Sequence, residues 1–396
     1  MSELIAIAEA RRRVLASVAR LADEEVFLAA GLGRVLAEDV ESSIDVPPFD
    51  SSAMDGYAVV AGPAAELEVI GESRAGYPAE MSLRPGAAIA VSTGSAVPEG
   101  STAVVPVERT EQAGSDRVRV PATEPGSNIR RAGEDLRAGQ AVLRASAVLG
   151  PAELGVAASV GRRSLRCARR PRVALIVTGD ELTDPGEPLG AGRIYSSNGV
   201  ALAAQVDRAG AEVVLRETVA DSAEATRAVL GRALDEADVV IVSGGVSVGP
   251  HDHVKGALRD LGVEERFWGV GLRPGKPTFF GARADGLAFG LPGNPVSAMV
   301  TCQLFVRPAL AALQGADPAA TRGRAILDEP VARNPRREQA VRVRLRAADD
   351  GWHASLTRGA QGSHVLTSML GADALALLAP GDGKAAAGER VEIELL

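Results

Sequence analysis

The chain has 396 residues, of which 46% are hydrophobic and 24% charged, and its formal net charge is −8. This composition provides enough apolar side chains for several hydrophobic cores and excludes a disordered chain. The acidic balance argues against a general nucleic-acid binder or a membrane-surface protein, so neither partner is expected.

The N-terminal string MSELIAIAEARRRVLASVARL predicts an amphipathic helix and not a signal peptide, because an acid precedes the bases and no long apolar core follows. No apolar run approaches the ~18 residues that a membrane span requires. The two cysteines, Cys167 and Cys302, are far apart and form no C-x-x-C motif. A reducing, cytoplasmic location is therefore expected.

The first part of the chain mixes helical and β patterns. Residues 3–21 and 24–38 show helical spacing, and LGPAELGVAASVG at 149–161 predicts a further helix with Pro151 in its first turn. Between residue 40 and about residue 138, short β-like runs alternate with turns. These runs indicate a small all-β module.

The second part of the chain alternates strand and helix patterns after the polar junction CARRPR at 167–172. Predicted strands are RVALIVT, AEVVLRE, DVVIVSG and LAFGLPG, and predicted helices follow the first, second and fourth of them. Buried β-branched strands alternating with helices predict a parallel, doubly wound sheet. Beyond about residue 318 the pattern returns to β, with a hairpin in VRVRLRAADDGWHASL and a closing strand in ERVEIEL.

Three loops follow predicted strands and carry glycine with polar groups: TGDEL at 178–182, SGGVSVGPHD at 243–252 and LPGNP at 291–295. Open parallel sheets bind ligands at the carboxyl ends of their strands, so these loops predict one site. The second loop offers backbone N–H groups and serine hydroxyls to an anion, although it lacks the G-x-x-x-x-G-K-S/T signature. Asn294 fits a helix N-cap and Pro295 the first helical position, and a helix start favours phosphate.

Charged side chains near these loops extend the prediction. Lysine is rare in this chain and occurs at 255, 276 and 384; Lys276, in RPGKP, adds a point charge to the anion site. Asp180, Glu181 and Asp252 lie on the same predicted rim. Clustered carboxylates beside phosphate suit a hard cation such as Mg²⁺.

Two other groups of polar residues leave alternatives open. In DSAE, Asp221 fits the N-cap of a capping box with Glu224, and a capping residue can also face a ligand. His251 and His253 flank Asp252, but a zinc site would lack a third His or Cys nearby. Composition and spacing therefore predict a phosphate-ester ligand and Mg²⁺ in an αβ domain, without defining a reaction.

A series of motifs carries a family resemblance. DVPPFDSSAMDGYAVV at 45–60 closely resembles the signature of the bacterial molybdopterin molybdenumtransferases (MoeA), which is shared with the E domain of gephyrin. Further matches follow in family order: STGSAVPEGSTAVVPVE, SNIRRAGEDL, VTGDEL, SGGVSVG with DHVK, RPGKP, LPGNPVSA and QGSH. The series spans nearly the whole chain, which makes the resemblance specific.

The resemblance implies a multidomain α/β plus all-β protein that forms an elongated homodimer. Its implied parts are an elongated N-terminal helical domain at 1–46 with 139–169, an inserted β module at 47–138, a three-layer αβα molybdopterin-binding domain with a parallel-type sheet at 170–318, and a C-terminal β-barrel at 319–396. The implied active cleft lies between the β module of one subunit and the αβ domain of the other. Other proteins of molybdenum cofactor biosynthesis are further candidate partners.

The family reaction takes adenylated molybdopterin and molybdate, places the metal on the dithiolene sulfurs and releases AMP with Mg²⁺. On matching positions the resemblance implies the catalytic carboxylates Asp55, Glu181, Asp221 and Asp252, with Asp55, Glu181 and Asp252 around the metal. The implied substrate-binding residues are Thr93, Asp135, Thr178, Gly179, Asp180, Ser243, Gly244, Gly245, Ser247, Gly249, Lys276, Pro292, Gly293, Asn294, Pro295 and Ser363.

Three positions depart from the family pattern. Ser196 stands where relatives often carry Asp, and Gly269 and Arg273 stand where many relatives place lysines. Arg273 keeps the charge with a different geometry, whereas Gly269 loses it. The sequence does not distinguish molybdate from tungstate as the preferred oxyanion.

Two alternative functions remain at this stage. A molybdopterin adenylyltransferase has a fold that resembles residues 170–318, but it does not need the SAMDGYAV module. A non-catalytic binding scaffold, as in the gephyrin E domain, would not need the acidic loops.

Overall fold

The computed structural model describes residues 4–246 and 253–396. The chain forms two compact units. We call Val26–Leu32 with Glu38–Leu165 the β unit, and Met1–Glu25, Gly33–Ala37 and Arg166–Leu396 the αβ–barrel unit. The four-domain division stays a prediction.

The first part of the chain contains two α-helices, α1 (Ile7–Leu15) and α2 (Pro151–Ser159), and two 3-10 turns, Leu28–Ala30 and Val107–Arg109. Its strands are, in chain order, β1 Asp23–Phe27, β2 Val40–Glu41, β3 Ser51–Ser52, β4 Gly56–Val59, β5 Ala65–Ser73, β6 Ala87–Val91, β7 Ala103–Pro106, β8 Glu111–Gln112, β9 Arg117–Val120, β10 Ile129–Arg130, β11 Ala141–Leu143 and β12 Ser164–Ala168.

The β unit is organised around a six-stranded mixed sheet in the order β7–β4–β6–β5–β9–β8. Strands β5 and β6 run parallel and the other neighbours are antiparallel. Alternate residues of these strands, including Val59, Val105 and Val118, form a buried core. The predicted all-β module therefore exists, and the structure adds the strand order that fixes its loops.

The expected helical character of the N-terminal region is wrong. Residues 3–21 contain only the nine-residue α1 among their described positions, and residues 24–38 form β1 and a 3-10 turn in place of the second helix. Gly33 has a φ of +73°, which lies outside the right-handed helical region, so a helix could not continue through it. The helix predicted at 149–161 is confirmed as α2, with Pro151 at its first position.

The remaining strands are β13 Arg172–Thr178, β14 Leu182–Thr183, β15 Ile194–Tyr195, β16 Glu212–Val219, β17 Val239–Ser243, β18 Glu264–Trp268, β19 Leu272–Arg273, β20 Phe279–Arg283, β21 Gly286–Leu291, β22 Arg322–Leu327, β23 Val331–Ala332, β24 Glu338–Ala348, β25 Gly351–Leu356, β26 Ala374–Leu378, β27 Lys384–Ala385 and β28 Arg390–Leu395. The helices are α3 Ser197–Arg208, α4 Ala223–Glu236, α5 Val254–Asp260, α6 Pro295–Thr301 and α7 Arg307–Leu313, with a π-helical segment at Cys302–Val306 and a 3-10 turn at Leu366–Met369.

The central sheet of the αβ–barrel unit has the order β16–β13–β17–β21–β20–β18. The four predicted strands β16, β13, β17 and β21 are parallel, as expected. The sheet as a whole is mixed, because β20 runs antiparallel to both of its neighbours, β21 and β18. Only two residues separate β20 from β21, and a connection of that length joins antiparallel strands only. The expectation of a parallel-type sheet is corrected accordingly.

Both faces of this sheet are covered by helices. Leu175 and Ile241 pack on one side with Leu202 of α3, while the neighbouring Ile176 and Val240 pack on the other side with other helices. This alternation is the period of two that a strand buried on both faces requires. The helical stretch Pro295–Leu313 is apolar and long enough to cross a membrane. However, 78% of an 18-residue apolar stretch within it is buried inside the protein, as in a core helix. The cytoplasmic location stays a prediction.

The C-terminal part closes into a five-stranded barrel. Its strands follow the order β24–β25–β22–β28–β26, and β26 pairs back with β24. Val343, Ala354, Ala376 and Ile393 are among the buried residues that fill its interior. The hairpin β24–β25 and the closing strand β28 agree with the sequence patterns, and the barrel agrees with the family resemblance.

Candidate functional site

The candidate site lies at the edge of the central sheet where the strand order reverses, between β13 and β17. From β13 the chain passes through α3 to β16 on one side, and from β16 it passes through α4 to β17 on the other side of β13. The connections that leave the adjacent strands β13 and β17 therefore run in opposite directions along the sheet. Open α/β sheets form their ligand crevice between two such connections.

Thr178, the last residue of β13, packs directly against the glycines that follow β17. A Cβ atom at Gly244 would lie 2.7 Å from the Thr178 carbonyl and hydroxyl oxygens, and one at Gly245 would lie 3.0 Å from that hydroxyl. Both glycines also have positive φ, +97° and +62°. The close approach and the φ values require glycine at both positions. Within the described residues the buried Thr178 hydroxyl has no hydrogen-bond partner.

Asn198, near the start of α3, links two of the predicted loops. Its side-chain N–H₂ group donates to the Ser243 hydroxyl at 2.9 Å and to the Gly293 carbonyl at 2.8 Å. The Ser243 hydroxyl in turn donates to the Pro292 carbonyl at 3.2 Å. Asn198 was not predicted from the sequence, although the string SSN at a predicted helix start was a usable signal.

The LPGNP loop meets the QGSH segment of the barrel. Asn294 is the N-cap residue of α6 and Pro295 its first residue, as predicted, but no side-chain capping bond is present. The side-chain amide of Asn294 donates instead to the Ser363 hydroxyl at 3.4 Å. The backbone carbonyl of Ser363 accepts from the backbone amide of Val296 at 3.2 Å. Ser363 therefore lies beside the LPGNP loop, and its role in substrate binding stays a prediction.

Arg342 supports the segment that carries Ser363, and it too was not predicted from the sequence. It is 1% exposed, donates to the Ser368 hydroxyl at 3.2 Å and to the Gly362 carbonyl at 3.4 Å. Burial lowers the pKa of this guanidinium to about 10, and none of its partners among the described residues is a carboxylate. An arginine in the alternating run VRVRLR gives no sequence signal of such burial.

Three predicted carboxylates lie near the end of β13. Asp180 and Glu181 are exposed, and Asp180 accepts a hydrogen bond from the Asp221 amide at 3.1 Å. The predicted capping box at Asp221 is wrong by one residue. Ser222 is the N-cap of α4, and its hydroxyl accepts from the Ala225 amide at 3.4 Å.

Lys276 and the two departing positions lie between β18 and β20. Lys276 is exposed, and its ammonium group forms no ion pair within the described parts of the chain. Gly269 has a φ of +91°, and a Cβ there would lie 2.9 Å from the Leu4 side chain. The backbone at this position therefore favours glycine over the lysine of relatives. Arg273 is exposed, and Ser196 is buried with its amide bonded to the Thr183 carbonyl.

Asp55, Thr93 and Asp135 belong to the β unit. The backbone amide and hydroxyl of Thr93 donate to the same oxygen of Asp55, at 2.7 and 3.1 Å. Gly56 is required after Asp55, because a Cβ there would lie 2.0 Å from the Val105 carbonyl oxygen. Asp135 is exposed with its amide bonded to Val46, and no hydrogen bond among the described residues joins it to Asp55 or Thr93.

Part of the predicted site lies outside the described residues, namely Ser247, Gly249 and Asp252, together with His251 of the zinc alternative. Across residues 4–246 and 253–396, no three His, Cys, Asp or Glu side chains form a group that could hold a metal ion. Mg²⁺ does not need such a group, because it is commonly held by one or two carboxylates together with substrate phosphates. Asp55, with one oxygen fixed by Thr93, is a carboxylate that suits this mode of binding, and so, in the other unit, is the exposed Glu181.

Three family models match consecutive parts of the chain. Residues 5–161 match the MoeA N-terminal region (domain I and II), residues 174–312 a probable molybdopterin binding domain, and residues 324–396 the MoeA C-terminal region (domain IV). Together they match the order in which the sequence motifs occur.

Individual relatives cover almost the entire chain. Molybdopterin molybdenumtransferase 2 of Mycobacterium tuberculosis is 38% identical over 93% of this chain and 94% of its own length. Molybdopterin molybdenumtransferase of Haemophilus influenzae is 35% identical over 94% and 93%. The crystal structure of the molybdopterin biosynthesis MoeA protein of Pyrococcus horikoshii OT3 superimposes with a TM-score of 0.83 at 30% identity and covers 100% of both chains.

Proposed function

The chain belongs to the MoeA family of molybdopterin molybdenumtransferases, which act in molybdenum cofactor biosynthesis, and on this premise we propose that it inserts molybdate into adenylated molybdopterin with Mg²⁺-dependent release of AMP. The observation that carries this proposal is the convergence of three loops at the strand-order reversal. Gly244 packs against Thr178, and Asn198 bonds both Ser243 and Gly293.

The glycine-rich loop would hold the phosphate of the molybdopterin moiety. The Gly244 amide donates to the Leu291 carbonyl at 3.1 Å, whereas the Gly245 and Val246 amides have no backbone acceptor among the described residues. Such successive amides form an anion-binding concavity without a phosphate-loop lysine. The Lys276 ammonium would contribute a compact positive charge to the same ligand.

The carboxylates would act on the phosphoanhydride side. Asp55, Glu181 and Asp252 would hold Mg²⁺, and Asp180 would keep the backbone at Asp221 in place through their hydrogen bond. Bound Mg²⁺ supplies neutralisation of the charge on the anhydride and on the departing AMP. Thr93 would keep the Asp55 carboxylate oriented during this step.

The proposal includes a homodimer with a shared cleft. The predicted site residues are divided between the β unit and the αβ–barrel unit. In the resemblance, the module around Asp55 from one subunit faces the αβ domain of the other. This arrangement would give Asp55, Thr93 and Asp135 access to the phosphates bound by the partner's glycine loop.

The decisive experiment is turnover by the purified protein. Adenylated molybdopterin, Mg²⁺ and either molybdate or tungstate are supplied, and AMP and metal-loaded cofactor are quantified together. AMP release coupled to metal insertion supports the proposal and compares the two oxyanions. Consumption of ATP with unadenylated molybdopterin would favour an adenylyltransferase, and absence of any turnover would favour a binding scaffold.

A further inference from the structure

Trp268, at the end of β18, contacts residues on both sides of the segment 247–252. Its indole N–H donates to the Val246 carbonyl at 2.9 Å. The ammonium group of Lys255, the second residue of α5, lies 4.2 Å from the centre of the Trp268 ring. One side chain thus binds the last described residue before this segment and a residue just after it.

The two ends are also fixed by packing. A Cβ at Gly290 of β21 would lie 2.5 Å from the Val246 side chain, so Val246 sits directly on the sheet. On the other side, a Cβ at Gly245 would lie 2.8 Å from Val254 at the start of α5. Glu265 pairs with Lys255 at 3.7 Å and keeps its ammonium group near the ring. Hydrophobic packing alone would need neither the indole N–H nor the lysine.

We propose that Trp268 is a positioning residue for the anion site, an inference that rests on the proposed function. Through the Val246 carbonyl it holds the backbone of Val246 in place, and with it the neighbouring Gly245 and Val246 amides that would face the phosphate. Lys255 on the ring face holds the start of α5 in the same arrangement. Loss of the indole N–H should therefore weaken ligand binding more than it weakens the fold.

The first test needs no ligand. Trp268→Phe keeps an aromatic face for Lys255 but removes the N–H, and Trp352→Phe, at a half-exposed position in the barrel, is the matched control. Hydrogen exchange is measured on peptides that cover residues 243–246 and 253–256. We expect faster exchange in these peptides for Trp268→Phe alone. Unchanged exchange there would overturn the proposal.

The second test measures affinity and turnover. For Trp268→Phe we expect about three- to tenfold weaker binding of adenylated molybdopterin, the range expected for one lost neutral hydrogen bond, with kcat for AMP release within about twofold. A lowered melting temperature with unchanged affinity would mean a structural role only and would overturn the proposal. If the wild type and the Trp352→Phe control also fail to bind, the proposed function fails, and the exchange result still decides the role of Trp268.

Discussion

The backbone amide and the hydroxyl of Thr93 donate to one and the same carboxylate oxygen of Asp55, at 2.7 and 3.1 Å. The second oxygen of Asp55 accepts no hydrogen bond from the described residues, and both side chains are exposed. A carboxylate fixed at one oxygen and open at the other is suited to bind a cation or a polarised water. The pair therefore has the form of a preorganised ligand group on the β unit.

Removing the charge of Asp55 should abolish turnover without affecting the fold. Asp55→Asn keeps the size of the side chain but not its affinity for Mg²⁺, so we expect AMP release to fall by about 100-fold or more. Thr93→Val keeps the hydrogen bond from the backbone amide to Asp55 and removes the one from the hydroxyl. We expect AMP release to fall by about three- to tenfold. Melting temperatures should remain close to wild type, since both positions are exposed. Glu80→Gln, another exposed acid of the β unit, is the control; an equal loss there would refute a specific role.

A cleft shared between subunits predicts complementation of two inactive chains. One chain carries Asp55→Asn and the other carries Asp252→Ala, and the two are refolded or coexpressed with different affinity tags. A heterodimer would contain one cleft with both carboxylates intact, so AMP release should recover to about half of the wild-type rate. The homodimers of each variant, prepared in the same way, are the controls. An isolated heterodimer that stays inactive would exclude the shared cleft.

Lys276 should contribute to affinity and little to folding. A hydrogen bond to a charged group stabilises a complex by about 1.5–3 kcal/mol, so Lys276→Ala should weaken binding of adenylated molybdopterin about 10- to 150-fold. Calorimetry at low salt measures this change directly. Lys384→Ala is the control, because it removes a lysine from an exposed position in β27 of the barrel. Equal affinities of the two variants would remove Lys276 from the site.

The sequence predicted the αβ part of the fold well, because buried β-branched runs such as RVALIVT have few alternatives to a central strand. It failed at residues 24–38, where apolar spacing resembled a helix while the glycines and β1 determined the local backbone. Strands β18 and β20 were not recognised, and the reversed direction of β20 follows from its two-residue connection to β21 and not from hydrophobicity.

Parts of the local geometry of the candidate site were predictable. Gly244, Gly245 and the N-cap and proline of LPGNP have sequence signals, because their conformations follow from φ values and helix starts. Asn198, Trp268 and Arg342 were missed. Their contacts join positions 20 to 95 residues apart in the chain, and no local pattern encodes such contacts.

Because Ser222 and not Asp221 is the N-cap of α4, substitutions at these two neighbouring residues should affect different properties. Ser222 should affect the stability of the fold, and Asp221 should affect AMP release. Ser222→Ala removes the hydroxyl that accepts from Ala225, and the bond is long at 3.4 Å, so we expect a loss of about 0.5–1 kcal/mol in the free energy of unfolding. AMP release should remain at the wild-type level. Asp221→Ala should reduce AMP release in the same assays, as expected for a site carboxylate. Denaturant titrations of both variants test this assignment, and a larger loss of stability for Asp221→Ala would return the capping role to Asp221.

His353 in the barrel should make the stability depend on pH. Its Nδ1 lies 2.8 Å from Asp328 and its Nε2 lies 2.8 Å from Asp350. A neutral imidazole donates from one nitrogen only, whereas the protonated ring can satisfy both carboxylates. Hydrogen bonds to Asp328 and then Asp350 raise the pKa of His353 above its ordinary value.

Because the folded state holds this proton more tightly than the unfolded state, the stabilisation is complete below the unfolded pKa of about 6.5 and is lost as pH rises through the raised folded pKa. The melting temperature of the wild type should therefore exceed that of His353→Gln most at about pH 5.5, and the difference should shrink towards about pH 8.5. His364→Gln, at an exposed histidine of the same barrel, is measured alongside as the control for the substitution itself. A difference between wild type and His353→Gln that stays constant across this range would show that protonation of His353 does not contribute to stability.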